Sequence, residues 1–385
     1  MRRACAVAWV LLLGCGGTPN PKSAAPAASA PNPAPEDSQQ AEAADPDDTL
    51  DKINDFIAEA STRQAVSEAT KPAPSRTLTR GLGDEADRLI ALGDAALERG
   101  NFEQARQHYR KARRLIPQHP APVVGIVEAR LGLLGVPLEF GIAKGDRRVT
   151  ELLKLLDEAK KLDESFPRAL LLEGQLHLIL GEAEAAAGPL EVARRALPGD
   201  AEAHSSWAVS RLATGDKAGA LEGFAEASRL QPNDPQRLTN LGAAWLMQGE
   251  VGEAVAVLER ATRLAPAEPR TLGDYGTALL AAGRIDEAIA QLSKAHALAP
   301  ERATFMSNLC YAEQQRARLA EARSWCEKAV ARDPKLGSAW INLATVLAAE
   351  KRYREARAAL KKAERLDPTD PRVKANLEDL EELGK

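Results

Sequence analysis

Histidine, cysteine and aromatic residues are all scarce in this chain of 385 residues, with 5 His, 4 Cys and aromatics at 4%. His108, His119, His177, His204 and His296 are scattered, with no Asp or Cys partner at ligand spacing, so no metal centre is expected. The chain also lacks a phosphate loop, a nucleophile elbow and an HExxH string. An enzyme is therefore not expected, and neither a cofactor nor a small-molecule substrate is implied. The net charge is −4 with no basic stripe, which argues against a nucleic-acid partner. So few aromatics exclude stacking platforms and a carbohydrate-binding track. The apolar run Ala4 to Leu13 is too short to span a bilayer as a helix.

Proline, in contrast, is present and periodic. Pro198, Pro232, Pro266, Pro300, Pro334 and Pro368 stand 34 residues apart. Such a beat means one small unit stacked on copies of itself. Counting each Pro as position 32, the units are 167–200, 201–234, 235–268, 269–302, 303–336 and 337–370. Position 20 is always Ala (Ala186, Ala220, Ala254, Ala288, Ala322, Ala356), and so is position 27. Position 8 is small in every unit. Apolar residues at positions 4, 7 and 11, and again at 20, 24 and 27, predict two antiparallel helices with a turn between them. Gly181, Gly215, Gly249 and Gly283 fall in that turn, where a helix end needs positive φ.

The stretch Leu238, Leu241, Gly242, Trp245, Ala254, Leu258, Ala261, Pro266 resembles the tetratricopeptide repeat family nearly position by position. A further unit at 86–119 fits, with Leu89, Leu92, Gly93, Gly100, Ala105, Tyr109, Ala112 and Pro117. Residues 120–166 read as one unit enlarged by 13 residues near Gly135 to Arg147, in its inter-helix turn. The expected fold is all-α: a right-handed superhelical solenoid of about seven helix–turn–helix units over 81–370. Residues 371–385 are expected to form a capping helix carrying Val373, Leu377 and Leu380 on one face.

The N-terminus points to export. Residues 1–14 read as a signal peptide, with Arg2 and Arg3 before the apolar run. LLGC resembles the bacterial lipoprotein box, which implies lipid on Cys15 and a membrane-anchored envelope protein. Gly16 after it suggests, by the same resemblance, the periplasmic face of the outer membrane. Residues 15–48, rich in Pro, Ala, Ser and Asp, are expected to be a disordered tether. Within 49–80, Leu50, Ile53, Ile57 and Ala60 share one face of a short amphipathic helix, followed by a linker. That helix reads as a surface helix or as a built-in competitor for the array's own groove. Cys310 and Cys326 sit at positions 8 and 24 of one unit, on facing helices. They are candidates for a disulfide; the other reading is two small apolar side chains. His177 and His204 fall at packing positions.

In this family the first helices line a concave face, with positions 2, 5, 6, 9, 12 and 13 pointing into it. Position 6 is Asn240, Asp274, Asn308 and Asn342 in four successive units. A side-chain amide both donates and accepts, so an Asn ladder at one-repeat intervals suits the backbone of an extended peptide. Thr239, Thr277, Ser307, Tyr311 and Thr345 lie beside it. Asn at position 6 is also common in the family, where it supports packing between helices. Leu171, Leu172, Gln175 and Ile179 make the earlier groove more apolar. Position 5 lacks the Lys and Asn pattern of a carboxylate clamp for chaperone C-termini. The expected function is a periplasmic scaffold that binds extended peptides or helices of envelope proteins. An assembly lipoprotein for a pilus, motility or secretion machine, resembling the repeat-containing pilotins, is the alternative.

Overall fold

The computed structural model describes residues 78–383. Cys15, the tether and the amphipathic stretch therefore lie outside the described residues. Among the described residues there are 17 α-helices and no strand. They fall into two compact units, 78–215 and 216–383.

The first unit holds α1 (Glu85–Glu98), α2 (Phe102–Leu115), α3 (Ala121–Leu134), α4 (Arg147–Leu162), α5 (Pro167–Leu180), α6 (Ala183–Ala196) and α7 (Ala201–Ala213). The second begins with α8 (Lys217–Leu230), α9 (Pro235–Gln248), α10 (Val251–Leu264), α11 (Pro269–Ala281) and α12 (Ile285–Leu298). It continues through α13 (Ala303–Gln315), α14 (Leu319–Arg332), α15 (Gly337–Ala349), α16 (Tyr353–Leu366) and α17 (Pro371–Leu383). Sixteen helices fall two to each of eight sequence units, one more than the expected count of about seven. The irregular 120–166 segment supplies a complete pair, α3 and α4.

The proline beat has a local cause. Residues at position 31, such as Leu197, Gln231, Ala265 and Ala299, have φ between −121° and −138° with ψ of 58° to 73°. A following Pro disfavours the helical region for the residue before it, so the second helix ends there and the chain turns. Inside each hairpin, positions 8 and 24 set how closely the two helices approach. A Cβ on Gly276 would stand 2.7 Å from Cγ of Leu292, and one on Gly242 would be 2.9 Å from Cδ2 of Leu258. In the 303–336 hairpin the same two positions are Cys310 and Cys326, joined in a disulfide with Cα atoms 5.2 Å apart and both side chains buried.

First helices also touch one another within each unit (α1 with α3, α3 with α5, α5 with α7; then α9 with α11 and onward), so each unit has its own inner row. At the far end α17 packs on α16 and α15 and buries Val373 and Leu380, as a capping helix should.

The enlarged turn of 120–166 is ordered by α5. Gly135 ends α3 in the left-handed region at φ 63°, and the Asp146 side chain caps α4. Between them the Gly141 and Ala143 amides donate to the carbonyls of Leu178 and Ile179, at 2.8 and 3.0 Å. Those carbonyls belong to the last turn of α5, where the i+4 donors run out; Leu178 also accepts from the Gly181 amide that ends the helix, at 2.9 Å. The insertion therefore caps a neighbouring helix, while Phe140 packs on the cluster around Leu170, Leu178 and Trp207.

Candidate functional site

Polar groove residues predicted from sequence all lie in the second unit. The structure joins most of them in bonds between adjacent first helices. Thr239 on α9 and Thr271 on α11 share a hydroxyl–hydroxyl bond of 2.9 Å. Asn240 accepts from Arg270 at 2.8 Å, and Arg270 also faces Asp274 at 3.7 Å. On α13 the Asn308 amide donates to the Thr277 hydroxyl at 2.9 Å. On α15 the Asn342 amide donates to both the hydroxyl and the carbonyl of Ser307, at 3.0 and 3.1 Å. Thr345 donates to Gln314 at 3.3 Å.

These contacts make a polar seam rather than a row of exposed amides. Thr239, Asn240, Thr277 and Ser307 are buried, while Asn308, Asn342, Thr345 and Tyr311 keep part of their surface in water. Burial pushes the Asp274 carboxyl up to about 6, with Arg270 and Arg302 pulling the other way. Burial likewise raises the Tyr311 hydroxyl, against a hydrogen bond with Gln315. Of the histidines assigned to packing, His204 is buried and bonded to the Pro198 carbonyl. His177 differs: it is only partly buried and pairs with Glu182 at 2.7 Å, just beyond the end of α5.

The first unit holds a cavity of about 450 Å³. Its floor and walls are Leu97, Phe102, Leu131 and Leu172, with Val136, Pro137 and Leu138 contributed by the insertion. Asp94, Glu98, Glu128, Arg168, Gln175 and Glu202 supply its polar groups. Nearly all of these stand on the first helices α1, α3, α5 and α7. Arg168 bridges Glu128 at 2.9 Å and Asp200 at 3.3 Å. Burial disfavours its charge, but Glu128 and Asp200 more than offset that and raise its pKa. Asp94 accepts from the Tyr109 hydroxyl at 2.6 Å and from the Leu78 amide at 3.0 Å. Gln175 donates to Glu202 and to Ser206, at 3.1 Å each.

Apart from Leu172 and Gln175, the residues of this cavity were not singled out from sequence. The register was sufficient to find them: Asp94, Glu128 and Gln175 are position 9 of three consecutive units. An overall charge near neutrality hid their local clustering. Among the described residues, no group of three or more His, Cys, Asp or Glu could hold a metal ion. No described helix is long and apolar enough to cross a membrane.

Stacked helical hairpins with a lined inner row define a repeat scaffold of the kind that holds protein partners. Tetratricopeptide repeat models match residues 86–119, 206–269, and 279–335 with 315–380, together just over half of the chain. The chain belongs to the tetratricopeptide repeat family.

Among solved structures, the APC/C hetero-tetramer Cut9-Hcn1 is similar over 87% of this chain and 59% of that one, at 16% identity and TM-score 0.58. This chain thus spans about three fifths of that relative's length, and the likeness is one of fold. PilF of Pseudomonas aeruginosa matches at 19% identity over 56% of this chain and 98% of that one, TM-score 0.46. YrrB, described as a TPR protein with an unusual peptide-binding site, matches at 19% identity over 50% and 99%, TM-score 0.37. No curated protein matches the chain.

Proposed function

We propose that this protein is an exported, lipid-anchored scaffold that captures extended segments of envelope proteins along its row of first helices. The observation that carries the reading is the inner row itself. In one unit it opens a cavity of about 450 Å³, and in the other it aligns Asn308 and Asn342 in fixed orientations with part of their surface in water. Each of these amides is held by a neighbouring repeat, so it meets a ligand with little further loss of side-chain entropy. Many modest contacts then add along an extended backbone. The lipoprotein-like LLGC box at Cys15, facing the periplasm from the outer membrane, supports the anchored location.

Two readouts test the proposal. Cys15→Ala is expected to abolish incorporation of radiolabelled palmitate and to move the protein out of the membrane fraction; retention of both would remove the anchor. Replacing Asn240, Asn308 and Asn342 together with Ala also deletes inter-repeat bonds worth about 1 kcal/mol each. Partner cross-linking in intact cells is therefore read at a temperature where the variant remains folded by circular dichroism. Loss of most cross-linked partner is expected, and undiminished cross-linking would overturn the ladder.

A further inference from the structure

The cavity of the first unit has a distinctive charge and a distinctive neighbour. Four carboxylates line it (Asp94, Glu98, Glu128, Glu202) against one guanidinium, Arg168, which is itself shared with Asp200. An apolar floor inside a net-negative wall selects a segment that is cationic at its ends and small and apolar between them.

The described chain starts on that wall. The Leu78 amide donates to Asp94, and the Leu78 side chain is buried in the core of the unit. The next residues are clasped by Asp87, whose carboxylate accepts from the amides of Arg80, Leu82 and Gly83 at 3.0, 2.5 and 3.0 Å. Leu78 is therefore held at a fixed point beside the cavity wall. The seven residues before Leu78 read Lys-Pro-Ala-Pro-Ser-Arg-Thr, with Lys71 and Arg76 and no acid. Residues 48–70 carry the opposite balance: Asp48, Asp51, Asp55, Glu59 and Glu68 against Lys52 and Arg63. Like charge sets that stretch against the cavity wall.

We propose that residues 71–77 occupy this cavity, with Lys71 and Arg76 facing its carboxylates and Pro72 to Pro74 lying on its apolar floor. Seven extended residues reach roughly 23 Å, enough to cross several first helices. The two prolines limit the conformations lost on docking. Attachment at Leu78 makes the contact intramolecular, with an effective concentration in the millimolar range. The proposal rests on the inner row being a peptide groove, and it gives one part of that groove a resident occupant. An incoming segment must displace it, and the segments best suited to do so are basic and proline-containing.

The test uses the full chain with Ala73→p-benzoylphenylalanine, irradiated in dilute solution, digested and mapped by mass spectrometry. Cross-links to 128–138 and 168–175 within one molecule, unaffected by dilution, are expected. Adding Lys71→Glu and Arg76→Glu should cut their yield about fivefold, as the loss of two partly screened ion pairs implies. Adding Glu98→Lys to that background should restore part of the yield. Cross-links elsewhere on the chain, a yield indifferent to charge reversal, or cross-links only between two copies would each overturn the proposal. So would cavity cross-links from Ile57→p-benzoylphenylalanine in place of those from position 73. The peptide-groove reading fails separately, because it is judged by partner capture and by substitutions in the other unit.

Discussion

Position 6 of the repeat shows how differently the two units use one frame. In the second unit it is Asn240, Asp274, Asn308 and Asn342, whose side chains join a polar seam between first helices. In the first unit it is Ala91, Gly125, Leu172 and Ser206, of which only Ser206 is polar. A Cβ on Gly125 would stand 2.5 Å from Cε1 of Tyr109, and Leu172 lies in the cavity floor. Both units keep Ala at positions 20 and 27 fully buried. Positions that pack one helix on its partner tolerate little change, because interiors are close-packed. Position 6 on the inner row varies from amide to leucine to glycine together with what it packs against, so a single scaffold can hold two chemically distinct grooves.

The contrast can be broken most severely by exchanging its residues. Gly125→Asn, which copies the second unit into the first, is expected to cost 3 kcal/mol or more, about the upper range for overpacking a core. The Tyr109 ring cannot give way, since it is fully buried and its hydroxyl is held by Asp94. Denaturant titration reads the loss; a variant as stable as the parent would show that the ring has room.

Disulfide reduction separates the units next. Cys310 and Cys326 are 16 residues apart, so opening the bond should remove about 3 kcal/mol. Amide exchange under reductant is expected to accelerate in α13 to α16 and to stay unchanged in α1 to α6. Equal acceleration in both would mean that the bond supports more than its own unit.

Acid should act on the other side. The Asp87 carboxyl is lowered to about 2: burial pushes it up, but the amide and guanidinium of Arg80 and the amides of Gly83 and Leu82 outweigh that. A depressed carboxylate contributes stability above its unfolded pKa of about 3.9 and loses it as pH falls towards 2. Exchange protection at Leu82 and Gly83 should therefore fade between about pH 4 and 2, and Asp87→Asn should remove that pH dependence. Protection unchanged down to pH 2 would count against the clasp.

The smallest effect concerns the turns. Gly100, Gly181, Gly215, Gly249 and Gly283 take positive φ there, but the last two hairpins use Ala317 at 57° and Lys351 at 62°. A left-handed residue with a Cβ costs roughly 1 kcal/mol or more. Lys351→Gly should raise stability by about 1 kcal/mol, less the entropy Gly adds to the unfolded chain. A measured loss would mean that the Lys351 side chain does something the exposed turn does not reveal.

Much of this was legible because it is periodic. The proline beat marks where second helices end, since each Pro constrains the residue before it without help from distant contacts. Small residues at positions 8, 20 and 27 announce close helix pairs for the same reason. The enlarged turn at 135–146 was visible as surplus length, but its docking on the end of α5 was not. That depends on which neighbouring carbonyls lack donors. The 34-residue register put Asn308 and Asn342 on successive first helices, yet their bonds to Thr277 and Ser307 could not be read, because a partner's hydroxyl one repeat away is a matter of approach and rotation.

The sequence by itself determined the repeat, its 34-residue length, the helix boundaries and the facing pair Cys310 and Cys326, because each follows from local backbone preference and fixed spacing. Only the tertiary structure decided which inner-row residues meet one another. Stacking gathers Asp94, Glu98, Glu128 and Glu202 into one acidic wall, and it converts aligned amides into a seam. Those outcomes depend on contacts between residues on different helices. No local rule contains them.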